Sequence, residues 1–439
     1  VVENDKMGGT CLHRGCVPAK EFLETAAVQR SVTGAGEFGI RVGSSELDFS
    51  VSQDRKNAVV DQLWKGLTGL MKGRGITSVA GTGRLEAGGR VVVADELGGS
   101  TELRGRHVVL AAGSVPRTLP TLAVDGRLVL TSDEFLDLRH VPASVAVVGG
   151  GAIGCEFASL LSDLGARVTV VEALDEILVG CDKDVTAVVR RSFRKRGIEV
   201  ITGTTVEGHR PGPDGRDTVV RLGDGRELEV ACVVVSIGRQ PRTEGLLGQG
   251  TGVVVDERGF VVTNDRMETH APGVYAVGDV VAGAPQLAHV GFAEGINVVK
   301  GILGETVIPV DYDRVPWAIY CHPEVAFAGL TEAQARTRGY DVVVKKDPFG
   351  GNSRARIIGD TEGLVKVVAE RRADGRAGAI LGVHLVGPWA TELLGPGYLA
   401  VNWEATPDEV GAFLQPHPSL SENFGETVLA LTGRGLHVG

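Results

Sequence analysis

The sequence of 439 residues predicts an α/β protein with parallel sheets, followed by a mixed α+β segment at the C-terminus. Three observations carry this reading. A buried strand over 144–148 feeds a glycine turn, a helix to about Leu164 and a second strand over 167–172. That is a βαβ unit, and it implies parallel strands. Upstream, helical patterning at 20–29 and 51–71 precedes β-rich runs at 91–93 and 107–110. Beyond Pro309, strands at 363–368 and 379–386 mix with helices at 331–338 and 391–403. Further strands are expected at 231–236 and 252–255, and a helix follows Asp279 through Gly295 to Ile302.

Composition narrows the functional class. Lys and Arg total 45 against 55 Asp and Glu, for a net charge of −10, which argues against a nucleic-acid partner. No apolar run approaches the ~18 residues of a membrane span, and no secretory signal opens the chain. Of six cysteines only Cys11 and Cys16 are close together, which does not suit a secreted disulfide framework. One close pair in a reducing compartment points to catalysis or metal binding, and hence to the cytoplasm. Val1-Val2-Glu3 reads as the end of a strand without an initiator Met, so the sequence reads as N-terminally truncated.

Cys11 and Cys16 are separated by four residues, a spacing that can close a disulfide within one helical turn or an adjoining bend. So short a bridge adds little stability but suits exchange chemistry. Two unrelated buried thiols, or half of a zinc site, fit the spacing as well, although zinc usually takes a tighter spacing and a second ligand pair. Gly149-x-Gly151-x-x-Gly154 lies between a strand and a helix, and Glu172 ends the next strand, near the offset of roughly 20 residues expected of a ribose-binding acid. A carboxylate there binds ribose hydroxyls and repels a 2′-phosphate, favouring NAD⁺ over NADP⁺. An ordinary βαβ turn with a solvated Glu is the plainer account. Glu156 falls in what reads as the first helical turn, where the helix dipole alone favours an acid. His417, with an ordinary pKa of about 6.5, can take a thiol proton near neutrality, and Glu422 can fix its tautomer.

The segment Gly8-Gly9-Thr10-Cys11-Leu12-His13-Arg14-Gly15-Cys16-Val17-Pro18-Ala19-Lys20 resembles the redox-active motif of the class I pyridine nucleotide–disulfide oxidoreductases. His13, Val17 and Ala19 replace the usual Asn, Ile and Ser, all outside the reacting groups. Thr269–Asp279, Leu287-Ala288-His289 and His107–Ser114 resemble the family's FAD segments, with Ala112 where Thr is commoner. His417-Pro418-Ser419-Leu420-Ser421-Glu422 resembles its C-terminal His-Pro-Thr-Leu-Ser-Glu.

The resemblance implies two Rossmann-like domains, for FAD and NAD, plus a C-terminal α+β dimerisation domain. The divisions would be 1–139 for the first part of the FAD domain and 140–262 for the NAD domain. A second FAD or central part would span 263–308 and the interface domain 309–439. It makes Cys11 the thiol that exchanges with substrate and Cys16 the thiol against the flavin. Lys20 would pair with Glu156, and His417 with Glu422 would come from the partner subunit of a homodimer. FAD binding falls on Glu3, Gly9, Thr10, Lys20, Gly83, Ala112, Gly113, Asp279, Leu287, Ala288 and His289. NAD binding falls on Gly149, Gly151, Ala152, Ile153, Gly154, Glu172, Val206 and Gly238, and no metal is implied.

Within the family, Glu172 disfavours NADP⁺-linked reductases, and the tail 427–439 lacks the cysteine pair of mercuric reductases. Segments 319–329, 352–355 and 382–388 resemble the branch that oxidises dihydrolipoamide with NAD⁺, with Cys321 and Gln415 as departures. That branch takes free dihydrolipoamide or a lipoyl domain, and serves 2-oxoacid dehydrogenase and glycine cleavage complexes. The alternatives are another NAD(P)H-linked flavoprotein disulfide reductase, or a non-catalytic nucleotide-binding fragment lacking the first FAD strand and glycine turn.

Overall fold

The computed structural model describes residues 1–43 and 45–437. At the N-terminus β1 (Val2–Glu3) leads into α1 (Gly9–His13), α2 (Cys16–Gly34) and α3 (Phe49–Gly73). β2 (Val79–Ala80) returns to pair in parallel with β1, and β3 (Val108–Leu110) follows an antiparallel three-stranded sheet over 82–104. The second helix is longer than its apolar pattern suggested. It begins at Cys16 itself, with Gly15 at the N-cap and no side chain capping the start.

The central body is a parallel five-stranded sheet. Its strands are β4 (Val129–Leu130), β5 (Ser144–Val148), β6 (Arg167–Val171), β7 (Glu199–Ile201) and β8 (Cys232–Val235), in the order β7-β6-β5-β8-β4. β5 is buried at every residue, as a central parallel strand must be, and it feeds α4 (Ala152–Asp163). A second helix, α5 (Lys183–Lys195), is capped by the Asp182 side chain on the Asp184 N–H. The chain then returns to the first body. β9 (Val274–Ala276) pairs in parallel with β3, and α6 (Ala288–Ile302) follows.

The run 252–255 differs from expectation. It forms no sheet strand, only a bridge between Val255 and Val261, and Val253 packs with Leu85, Leu110 and Val261. Val254 and Val255 stay largely exposed, so its apolar run is satisfied by one-sided packing on the first body.

The C-terminal segment is an antiparallel sheet of β10 (Trp317–Ile319), β11 (Glu324–Gly329), β12 (Val342–Pro348), β13 (Leu364–Arg371) and β14 (Ala377–Gly387), ordered β10-β11-β14-β13-β12. It is joined by α7 (Glu332–Thr337) and packed by α8 (Glu422–Leu431). The single helix expected over 391–403 is two, Ala390–Leu393 and Gly395–Asn402, with Pro396 in the first turn of the second. Among the described residues no helix is long and apolar enough to cross a membrane.

Buried ions fix the C-terminal sheet to the central body. Lys366 of β13 is fully buried, with its ammonium 2.9 Å from Asp182, 2.7 Å from Asp184 and 2.9 Å from Glu332. Burial works against its charge, but these three carboxylates outweigh that and raise its pKa. Arg196, just past α5, bonds Asp163 at 2.7 Å and the His322 carbonyl at 2.6 Å. Removing one partner of such a site strands a buried charge. Lys366→Ala is therefore expected to lower unfolding free energy by about 3–5 kcal/mol in urea titrations, and an unchanged midpoint would sink this account.

Candidate active site

Gly15 separates two short helical starts and brings their thiols together. Cys11 lies in the single turn of α1, and Cys16 is the first residue of α2. Both are free thiols, and the Cys11 side chain hydrogen-bonds to Cys16. That bond, opposed by burial and aided by Lys20, lowers the Cys16 pKa to about 7. The same bond raises Cys11 far above the ordinary thiol range, with burial adding to it. The pair thus gives up its first proton near neutrality, and the charge settles on Cys16 at a helix N-terminus.

Lys20 sits four residues after Cys16, on the same face of α2. Its ammonium is 2.8 Å from both carboxylate oxygens of Glu156. Burial disfavours its charge, but Glu156 overrides that and raises the Lys20 pKa. Glu156 is 4% exposed and is the fifth residue of α4, beyond the first turn in which the sequence placed it. Its near neighbour is therefore the Lys20 ammonium and not the free N–H groups of the helix start. Glu156 also accepts from the Tyr320 backbone N–H at 2.9 Å, and the Tyr320 ring lies 4.9 Å from the Lys20 ammonium. Tyr320 lies in the 319–329 segment singled out above, but its bond to Glu156 comes from a backbone donor that no residue type signals.

A second set of groups gathers where β3 and β9 end. Asp279 accepts from Ser114 Oγ at 2.5 Å, and Arg239 donates to the same hydroxyl at 2.7 Å. The Gly278 N–H bonds buried Glu294 of α6 at 2.6 Å, and Tyr312 donates to that carboxylate at 2.6 Å. Arg239 and Glu294 escaped the sequence reading because their partners are distant in the chain. Leu287 precedes α6, Ala288 begins it without a side-chain cap, and His289 contacts the Pro316 carbonyl at 2.8 Å. Gly9 and Gly113 take φ of +63° and +70° with open space where a side chain would stand, and Ala112 precedes the latter. Glu3 receives the N–H groups of Asn4 and Asp5, Thr10 lies in α1, and Gly83 passes close against Val2. These groups fit FAD: a carboxylate for ribityl hydroxyls, glycine openings, an uncapped helix start, and Lys20 beside Cys16.

The glycine turn of the central body shows why its residues are small. A side chain on Gly154 would lie 1.9 Å from the Gly149 carbonyl, and one on Gly149 would strike the Ser236 carbonyl at 2.5 Å. Gly151, preceding Ala152 and Ile153 of α4, faces open space, as a pyrophosphate approach requires. Glu172 accepts from Gly150 N–H at 2.6 Å and Leu174 N–H at 2.9 Å, which holds its carboxylate at the turn. Gly238 follows β8 at φ +97°. Val206 is buried, and its carbonyl accepts from Thr121 at 3.1 Å. This arrangement fits NAD.

His417 does not join the thiols within the chain. Its Nδ1 is 2.8 Å from Glu422, and its side chain is 71% exposed. Burial raises the Glu422 carboxyl, but the Ser419 N–H and His417 hold it below the usual range. Among the described residues no cluster of three or more His, Cys, Asp or Glu could hold a metal ion.

A polarised dithiol beside two nucleotide-type openings defines a nucleotide-linked disulfide oxidoreductase. Residues 1–295 match the pyridine nucleotide-disulphide oxidoreductase model, and 315–428 match the dimerisation domain of the same group. The chain is 40% identical to a dihydrolipoyl dehydrogenase of Bacillus subtilis (strain 168), covering 100% of this chain and 93% of that one. It is 36% identical to dihydrolipoyl dehydrogenase 1, mitochondrial, of Arabidopsis thaliana, over 98% of this chain and 85% of that one. The crystal structure of LpdA from Mycobacterium tuberculosis superposes with a TM-score of 0.91 at 27% identity, covering 98% and 93% of the two chains. The chain belongs to the pyridine nucleotide-disulphide oxidoreductase family.

Lys20 lowers the Cys16 pKa, so Lys20→Met is expected to move the thiolate midpoint upward from about 7. The pH dependence of alkylation, assigned to each cysteine by mass spectrometry, measures this. A midpoint at or below the parental value would contradict the assignment.

Proposed function

We propose that this chain oxidises dihydrolipoamide to lipoamide and reduces NAD⁺, using the Cys11–Cys16 dithiol and FAD. The observation that carries the chemistry is the unequal thiol pair, with the anion on Cys16 facing the Lys20–Glu156 ion pair. The substrate class rests on whole-length likeness to dihydrolipoyl dehydrogenases. That likeness favours dihydrolipoamide over other disulfide substrates of the family.

The cycle begins with Cys11 and Cys16 joined as a disulfide. His417 of the partner subunit takes a proton from one substrate thiol, and the resulting thiolate attacks the Cys11 sulfur. The Cys11–Cys16 bond breaks, and Cys16 leaves as the thiolate that Lys20 stabilises. The second substrate thiol attacks the substrate sulfur bound to Cys11 and gives its proton to His417, which passes the first proton to the departing Cys11 sulfur. Lipoamide is released with its own S–S bond, and Cys11 departs as the reduced thiol. The substrate has lost two electrons and two protons, and the cysteine pair has gained the electrons. Bound FAD supplies the relay of those electrons to NAD⁺ as a hydride. Glu422 orients the His417 ring and stabilises its protonated form.

A homodimer is part of this proposal. Phe292 and Ile296 on α6, with Trp403, Phe413 and Leu414, are exposed apolar side chains that a second copy would cover. We place the enzyme in the cytoplasm, accepting free dihydrolipoamide or a lipoyl domain of a 2-oxoacid dehydrogenase or glycine cleavage complex.

His417→Ala is expected to lower dihydrolipoamide oxidation by roughly 10²–10⁴-fold. Randomly reassorted dimers of His417→Ala and Cys16→Ser subunits should recover about a quarter of parental activity, since each mixed dimer keeps one whole site. If mixing restores nothing while mixed dimers are shown to form, the shared site is wrong.

A further inference from the structure

Tyr320 is not explained by the dithiol chemistry, yet it touches both members of the ion pair that serves it. It follows β10 in the C-terminal segment and reaches back to α2 and α4. Its backbone N–H donates to Glu156 at 2.9 Å, while its ring lies 4.9 Å from the Lys20 ammonium. Two Lys20 interactions go to Glu156, and the ring provides a third side of the ammonium's surroundings. The far end of Tyr320 rests against Thr391, whose hydroxyl donates to Glu324 at 2.7 Å. The ring is carried by a backbone already fixed to Glu156 and to the end of β10, so it does not simply follow Lys20.

We propose that Tyr320 is a positioning residue for the Cys16 thiolate, its ring fixing the Lys20 ammonium over Glu156. The proposal rests on the dithiol reading above. A flexible lysine next to a solvated carboxylate would spread its charge over many rotamers. A cation confined between a buried carboxylate and an aromatic face keeps its field on the thiol at its own helix start. The charged and titratable groups facing Cys16 are Cys11 from α1, Lys20 from α2, Glu156 from α4 and, beyond β8, Arg239. Of these, Lys20 is the one the ring touches.

The test is the pH titration of thiolate absorbance in the reduced holoenzyme, read as the difference between each protein and its Cys16→Ser counterpart. Tyr320→Phe keeps the ring and should titrate with the parent. Tyr320→Leu keeps the backbone N–H but removes the π face, and should raise the midpoint by roughly half to one pH unit, about a 3- to 10-fold change. A Leu variant that titrates with the parent overturns the proposal. Fluorinated phenylalanines at position 320 keep the shape while draining the π face, so they serve even if Leu prevents folding. The midpoint should climb with fluorination, and a flat series overturns the proposal as well. Failure of the underlying reading looks different, because Cys16→Ser would then leave the parental titration near neutrality unchanged.

Discussion

One buried carboxylate ties the molecule together. Glu156 stands on α4 of the central body, holds Lys20 of α2 from the first body, and receives the Tyr320 N–H from the C-terminal segment. Three parts of the chain meet at a side chain that is 4% exposed. Its position depends on Gly154, since only a glycine lets α4 approach the Gly149 carbonyl so closely. The nucleotide turn and the thiol site are therefore mechanically linked, with the same glycine serving both. Taking a carboxylate and an ammonium out of water costs free energy, and such pairs often add little net stability. Here the three-way bonding compensates, and its consequence is geometric: the ammonium is held over the start of α2.

That placement decides how the two thiols divide their work. Both sit within one short stretch, so chain entropy gives their bridge little strength. What distinguishes them is local electrostatics. Cys16 has a helix N-terminus and Lys20, whereas Cys11 has the proton it donates to Cys16. In disulfide exchange a leaving thiol with a low pKa departs faster. On the proposed reaction, an incoming thiolate that attacks Cys11 would expel Cys16, the better leaving group. The asymmetry thus sets the direction of the exchange without any additional catalytic side chain on α1.

Features encoded by local backbone constraints were legible in the sequence. Gly149, Gly151 and Gly154 are dictated by contacts within a single turn, and the Cys11–Lys20 stretch by one helix start. The broad order of parallel units followed by a mixed α+β segment was readable for the same reason, through strand and helix periodicity, whereas the antiparallel pairing of the last sheet was not. What escaped depends on contacts between distant segments. The Tyr320 N–H and the Glu294 carboxylate meet partners about which their own neighbourhoods say nothing. The run 252–255 misled because three valines in a row look like a buried strand, although only Val253 finds a core. The break before Pro396 was available from the Gly-Pro-Gly sequence, but the apolar spacing around it resembled one continuous helix. Glu156 was located correctly in sequence yet one turn too early in the helix, which exchanged an ion pair for a dipole as its explanation.

The remaining question of geometry concerns His417. A base for thiols needs a fixed ring and access to substrate, and Glu422 with the Ser419 N–H gives the first. The ring itself points to solvent on the C-terminal segment, with no hydrogen bond to the thiol pair among the described residues. Glu422 begins α8, whose buried face is packed into the C-terminal sheet, and so holds its carboxylate in place beside His417. Cys11 is likewise fixed, by α1 and the Cys16 hydrogen bond. On the shared site proposed above, a second copy would supply His417 to these thiols. The exposed apolar residues on α6 and beyond Asn402 provide a physical reason for that copy to bind. Dimerisation would then bury apolar surface and, on that proposal, complete the site in the same step.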